Sequence, residues 1–147
     1  MHIYVDGSYN PQTAHWGGGA AILNDEETEV LHTIQVTDFD NNGSRQINGE
    51  LASSIMSLEY VLNHSDQFED RKIVIYYDYL GIEKWATGEW VARKDVSRDY
   101  SIRVKNLMLA LNVMHQIEVS FHKVKAHSSD KYNDLADRLS KDACGVK

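Results

Sequence analysis

The sequence predicts an α/β fold, a mixed five-stranded sheet with helices packed against it. Three observations point there. Residues 1–36 carry three apolar, β-favouring runs separated by short turn-rich stretches. The apolar period then switches to that of a helix at Asn48. Two further β runs, near residues 72–77 and 117–124, alternate with helical patterns.

Taken in order, Ile3, Tyr4 and Val5 form a run short and apolar enough to be a strand buried on both faces, and it ends on Asp6-Gly7-Ser8. Pro11 to Gly19 reads as a loop, and the following Ala20-Ala21-Ile22-Leu23 as a second strand. Asn24-Asp25-Glu26-Glu27 is a polar turn, and Val30 to Val36 a third strand, so the opening third predicts an antiparallel meander. On a wheel of roughly 100° per residue, Leu51, Ile55, Leu58 and Leu62 share one side, giving an amphipathic helix over residues 49–63. Lys72 to Tyr77 is a buried strand that again runs into an acid, Asp78. Helical patterns follow at Leu80–Trp85 and about Ser97–Met114, then a strand over Ile117–Val124 and a closing helix from Lys131 to Cys144.

At 147 residues, 42% hydrophobic and 25% charged, a single globular domain over 1–147 is expected. No apolar run reaches membrane-spanning length, and the first residues show neither a basic n-region nor an apolar h-region. One cysteine, Cys144, permits no internal disulfide and reads as a packed thiol. A reduced, cytoplasmic setting is expected, with no membrane association and no obligate protein partner. The net charge of −7 hides an asymmetry: residues 1–70 hold twelve acids and one base, Arg45, whereas residues 71–147 hold ten acids and fourteen bases. Such a basic half either presents a phosphate-binding face or merely solvates helices.

Asp6 is costly to bury beside an apolar strand unless a cation compensates, although Asp-Gly-Ser is also common turn chemistry. A right-handed helical crossover would set the strands before Asp6 and Asp78 parallel, with both carboxylates at one sheet edge. Glu50 opens the crossover helix about 100° from Leu51, on the flank of the apolar stripe. Its competing role is a helix-dipole carboxylate worth ~0.3–1 kcal/mol. On the last helix, Tyr132, Leu135, Ala136, Leu139 and Ala143 define the buried direction. Asp134 falls opposite it and Asp137 on its flank, so Asp137 is the fourth candidate. Four converging carboxylates would repel one another, and divalent ions would turn them into a hard-oxygen site for Mg²⁺ or Mn²⁺.

These stretches together resemble the type 1 ribonuclease H family. The likeness is carried by Tyr4-Val5-Asp6-Gly7-Ser8, Asn48-Gly49-Glu50-Leu51-Ala52 and Ile75-Tyr76-Tyr77-Asp78. It continues in Val124-Lys125-Ala126-His127-Ser128-Ser129 and Asn133-Asp134-Leu135-Ala136-Asp137-Arg138-Leu139. The resemblance implies strand order 3-2-1-4-5 and hydrolysis of the RNA strand of RNA–DNA hybrids with two Mg²⁺ ions, Mn²⁺ being a substitute. It implies that Asp6, Glu50, Asp78 and Asp137 hold metal, that Glu50 also meets the ribose 2′-hydroxyl, and that His127 assists proton transfer or product release. The stretch Glu83 to Lys94 resembles a basic protrusion that grips the DNA strand, making Trp90, Arg93 and Lys94 candidate substrate contacts. Trp85 reads instead as packing.

The chain departs from the family's pattern at Gln46-Ile47-Asn48-Gly49 before Glu50 and at Tyr79-Leu80 after Asp78. Ser8, Gln46 and Asn48 are the remaining candidates for hybrid contacts there. Two other functions compete: a module of the same fold that binds hybrid without cutting, and a related polynucleotidyl transferase or resolvase acting on DNA.

Overall fold

The computed structural model describes residues 1–125 and 130–146. Its strands are β1 (His2–Asn10), β2 (His15–Leu23), β3 (Val30–Phe39), β4 (Lys72–Tyr77) and β5 (Glu118–Lys123). Its helices are α1 (Gln46–Asn63), α2 (Gly81–Thr87), α3 (Asp95–His115) and α4 (Lys131–Cys144), with a single 3₁₀ turn at Ser65–Gln67. The sheet order is β3-β2-β1-β4-β5, as the resemblance implied. β1, β2 and β3 form the expected antiparallel meander, and β4 joins β1 in parallel with Tyr4 opposite Tyr76. β5 extends the sheet in parallel from β4.

Side chains alternate across the sheet, as the strand period requires. Ile3, Val5, Ile22, Ile73 and Ile75 face α1 and α3 in the main core, where Leu51, Ile55, Leu58, Val104 and Leu111 meet them. Tyr4, Ala21 and Leu23 face the other way, against Ala136 of α4. α2 is tied to α3 by Tyr100, whose hydroxyl donates to the Ile82 carbonyl (2.7 Å), and by Ser101, which donates to the Trp85 carbonyl (2.9 Å). Among the described residues no helix is long and apolar enough to cross a membrane.

Two expectations fail for one reason. The first strand does not stop at Asp6, because β1 pairs with β2 all the way to Asn10 opposite His15. Nor is Pro11 to Gly19 a loop: the turn occupies only residues 11–14, and Gly17-Gly18-Gly19 lies within β2. The glycines are strand residues because helices press on them from both faces. A Cβ on Gly17 would strike the Ser140 carbonyl, and one on Gly19 the Ala136 carbonyl, both on α4. A Cβ on Gly18 would strike the Gly49 carbonyl on α1. The deepest line of α4 is therefore Ala136, Ser140 and Cys144, small residues that permit backbone-level contact; Tyr132, Leu135 and Leu139 are only half-buried.

Gly18→Ala is accordingly expected to destabilise the fold by about 1–3 kcal/mol, because backbone on α1 has nowhere to retreat. Urea denaturation would register this as a lower midpoint with an unchanged slope.

Candidate active site

Each of the four candidate acids is placed by a different element, with its own anchoring device. Carrying the Tyr4–Tyr76 register two residues further sets Asp6 level with Asp78, which directly follows β4. Asp6 thus lies in the middle of β1, but beyond its last pair with β4, where that side of the strand is unpaired. Its Oδ1 accepts from the Gly7 N–H (2.9 Å).

Gly7 does the next task. A side chain there would run into the Gln46 carbonyl and the Glu50 nitrogen, so its absence lets the start of α1 press on β1 next to Asp6. α1 begins at Gln46, three residues earlier than the periodicity predicts, so Glu50 stands in its second turn. A surface helix-dipole role is ruled out by its burial: Glu50 is only 4% exposed. Its Oε1 accepts from the backbone N–H groups of Asp78 (2.7 Å) and Tyr79 (3.1 Å), bridging α1 to the end of β4.

Asp137 reaches the site from the opposite face. Ser140 donates to the Asp137 carbonyl (2.7 Å), and its Oγ lies 2.6 Å from the Oγ of Ser8 on β1. Both serines are buried, so this pair holds the Asp137 turn of α4 two residues from Asp6 along the strand. Asp137 is half-buried and Asp134 exposed, the distribution expected from the helical wheel.

The acids form a connected row. Burial pushes the Asp6 carboxyl up to about 8, opposed by the Gly7 N–H and reinforced by the charges of Glu50 and Asp137 and by a hydrogen bond with Asp137. Burial likewise pushes Glu50 up to about 7, opposed by the two backbone N–H groups and reinforced by Asp78. Lysines stand at the two ends: Lys141 Nζ is 2.9 Å from Asp137 Oδ2, and Lys123 Nζ is 4.0 Å from Asp78 Oδ1. With these contacts in place, no three His, Cys, Asp or Glu side chains among the described residues are gathered closely enough to hold an ion as they stand. Neither lysine was singled out in the sequence. Lys141 had a signal, its i,i+4 spacing from Asp137; Lys123 depends on β5 pairing opposite Tyr77.

The remaining candidates divide. Ser8 is committed to Ser140, so it is a positioning group within the fold. Asn48 is also consumed internally, donating to Asp40, Asn42 and the Arg45 carbonyl and accepting from Asn42; it shapes the loop before α1. Gln46, Arg93 and Lys94 are exposed. Trp90, 38% exposed, meets half-buried Trp85 edge-on with centroids 6.0 Å apart. Trp90, Arg93 and Lys94 line a cleft of about 500 Å³ together with Ser44, Tyr79 and Trp85. Tyr79, a departure from the family's pattern, is thus part of an aromatic wall. His127 lies outside the described residues.

Comparison with known proteins agrees with this geometry. The family model described as RNase H matches residues 1–145. The chain is 28% identical to a ribonuclease H of Prosthecochloris aestuarii, over 96% of this chain and 92% of that protein. It is 31% identical to a ribonuclease H of Ruthia magnifica, over 94% and 90% of the two chains. Among solved structures, RNase H1 of the halophilic archaeon Halobacterium salinarum superposes with a TM-score of 0.74 at 19% identity, covering 98% of this chain and 96% of that one. LC11-RNase H1, solved in complex with an RNA/DNA hybrid, gives 0.76 at 16% identity with the same coverage. With the family model spanning almost the entire sequence and the sheet order shared, the chain belongs to the RNase H family.

Proposed function

We propose that this protein hydrolyses the RNA strand of RNA–DNA hybrids by a two-metal-ion mechanism, leaving 5′-phosphate and 3′-hydroxyl ends. The observation that carries the mechanism is the row Asp137–Asp6–Glu50–Asp78, in which burial raises both central carboxyls well above their ordinary range, reinforced at Asp6 by Glu50 and Asp137 and at Glu50 by Asp78. Family membership and the hybrid bound by LC11-RNase H1 support the substrate.

The residues fit a divalent cation. All four donors are carboxylate oxygens, the set that suits Mg²⁺ or Mn²⁺ rather than a thiolate- or imidazole-loving metal. Asp6 has no cationic partner of its own among the described residues, whereas Asp137 and Asp78 each have a lysine. A cation would offset the burial, and the charge of the neighbouring acids, that raise the Asp6 and Glu50 carboxyls. Asp6, Glu50, Asp78 and Asp137 are thus the residues that would hold the ions. When bound, the ions supply Lewis-acid stabilisation to a phosphodiester attacked by water.

The protein's own contribution is positional. Glu50 is fixed by the Asp78 and Tyr79 amides, so its second oxygen is the one available to an ion or to a ribose 2′-hydroxyl, the group that marks RNA. Lys141, 2.9 Å from Asp137 Oδ2, balances the charge at the outer end of the row. Arg93 and Lys94 would take DNA-strand phosphates, with Trp90 offering an apolar face beside the sugar. His127 keeps the proton-transfer or product-release role that the resemblance implies.

A hybrid labelled on its RNA strand and incubated with Mg²⁺ tests the activity. Cleavage of the RNA strand alone is expected, with at least about a hundredfold loss in Asp78→Asn, the scale on which mispositioned catalytic groups act. The open spacing of the acids favours the rival, a module that binds without cutting; tight hybrid binding with no Mg²⁺-dependent product would select it. Cleavage of plain or junction DNA in preference to hybrid would point to a resolvase-like enzyme.

The carboxyl row also sets a pH dependence. Unfolded Asp and Glu titrate near about 4, whereas Asp6 and Glu50 in the fold stay protonated up to about 8 and about 7. The folded state therefore binds more protons between those limits, and their contribution to stability is full below about pH 4 and lost as pH rises to about 8. Melting in EDTA across this range is expected to show a falling Tm, with a flatter profile in Asp6→Asn. Mg²⁺ should raise Tm more at pH 8 than at pH 5, and little in Asp6→Asn.

A further inference from the structure

Directly beneath two of the four acids the sheet is aromatic. Tyr4 stands two residues before Asp6, and Tyr76 two residues before Asp78. Their rings stack across β1 and β4, with centroids 4.4 Å apart and planes 7° from parallel. His122 on β5, opposite Tyr76 in register, continues the row edge-on at 5.3 Å. A line of rings therefore crosses three strands one pleat repeat below the acids.

Both tyrosines are also fixed at their hydroxyl ends. Tyr4 is buried and donates to Glu27 Oε1 (2.5 Å) in the β2–β3 turn. Glu27 is anchored in its turn, because its carbonyl accepts from the Tyr132 hydroxyl of α4 (2.6 Å). The Tyr76 hydroxyl lies 2.8 Å from His2 Nδ1, and the His2 ring stacks on Tyr76 at 5.4 Å. The two rings are thus clamped against each other and at their outer ends.

The stack matters because of where the backbone ladder stops. Three residue pairs join β1 to β4, and Tyr4 opposite Tyr76 is the last. A paired ladder holds neighbouring strands ~4.8 Å apart. Beyond Tyr4, β1 goes on pairing with β2, while the chain after β4 leaves the sheet for α2. Glu50 ties the end of β4 to α1 and not to β1. At the level of Asp6 and Asp78 the ladder no longer sets the gap, and the ring stack is the side-chain contact nearest to it.

Packing alone does not call for two stacked rings there. α4 lies over β1, β2 and β3, so Tyr76 is half-buried and His122 exposed. A β-branched residue would suit such a half-covered strand equally well. It would not carry a rigid plane across to the next strand, which a pair of aromatic rings does.

We propose that the Tyr4–Tyr76 stack is the spacer that sets the separation of Asp6 from Asp78, so that Tyr76 is a positioning residue for the divalent ions these acids hold. It governs ion affinity and not affinity for the hybrid. The inference rests on the reading that the acids bind metal, and adds to it a residue that touches neither ion nor substrate.

The test compares Tyr76→Val, Tyr76→Phe and Ile73→Val in the full chain. Tyr76→Val keeps a strand-favouring side chain and removes the stack, whereas Tyr76→Phe keeps the stack and loses the His2 contact. Ile73→Val, a buried change at the other end of β4, supplies a loss of stability away from the rings. Ion binding is read without substrate, from the rise in Tm with Mg²⁺ concentration and from the electron paramagnetic resonance signal of free Mn²⁺. Tyr76→Val is expected to bind both ions about tenfold more weakly, the scale on which groups supporting a metal ligand act. In cleavage it should need about tenfold more Mg²⁺ for half-maximal rate, with KM for hybrid within about twofold once Mg²⁺ saturates. Tyr76→Phe should stay within about twofold of wild type in ion affinity, and Ile73→Val should lower Tm without moving it. Wild-type ion affinity in Tyr76→Val, an equal loss in Ile73→Val, or a loss in Tyr76→Phe as large as in Tyr76→Val would each overturn the proposal. Should Tyr76→Val not fold, Tyr76→Leu carries the same comparison. Wild type that binds the ions but leaves hybrid uncut would remove the hydrolytic reading, while the ion-binding series still decides the role of Tyr76.

Discussion

The structure depends on how closely two helices approach the central strands. Gly7 on β1 and Gly17, Gly18 and Gly19 on β2 leave no room for a Cβ, and Gly49 on α1 meets the Gly17 carbonyl in the same way. A helix normally stands off a sheet by the length of its side chains; here backbone rests on backbone at several points. That contact brings Glu50 from one face and Asp137 from the other to the middle of β1, where Asp6 lies. Larger residues at these positions would still allow a sheet with helices on both sides, but the acids would be too far apart to act together.

Electrostatics then constrains what the convergence is for. Buried carboxyls that share a site raise one another's affinity for protons, and nothing in an apolar core rewards that arrangement. Glu50 is partly compensated by two backbone amides, and the outer acids by lysines, but among the described residues Asp6 at the centre has only the Gly7 N–H as a compensating donor. The most stressed member of the row is thus the one that feels the charges of both Glu50 and Asp137. A divalent cation is the group whose arrival changes the sign of that interaction. The cations nearest the row are distributed consistently with this, Lys141 at the Asp137 end and Lys123 at the Asp78 end.

The sequence was most legible where one local signal sufficed. The runs at Ile3–Val5 and Lys72–Tyr77, the stripe Leu51-Ile55-Leu58 and the closing helix each state their period within a few residues, and all became the expected elements. It misled where a local signal had a distant cause. Three consecutive glycines imitate a loop, yet they are strand residues whose emptiness is demanded by α1 and α4. Ser8 and Asn48, read from the sequence as candidate hybrid contacts, also hydrogen-bond to Ser140 and to the 40–45 turn, partners that the residues around each motif do not announce.

By itself, the sequence determined most of the elements, the family and the more buried position of Asp137 relative to Asp134 on α4, because period and wheel position are properties of adjacent residues. Tertiary structure alone decided that Asp6 is level with Asp78, that Glu50 is buried and bridged to β4, and that Lys123 and Lys141 guard the ends of the row. The physical reason is that register, burial and charge pairing are relations between segments far apart along the chain. No window of sequence contains both partners of such a relation.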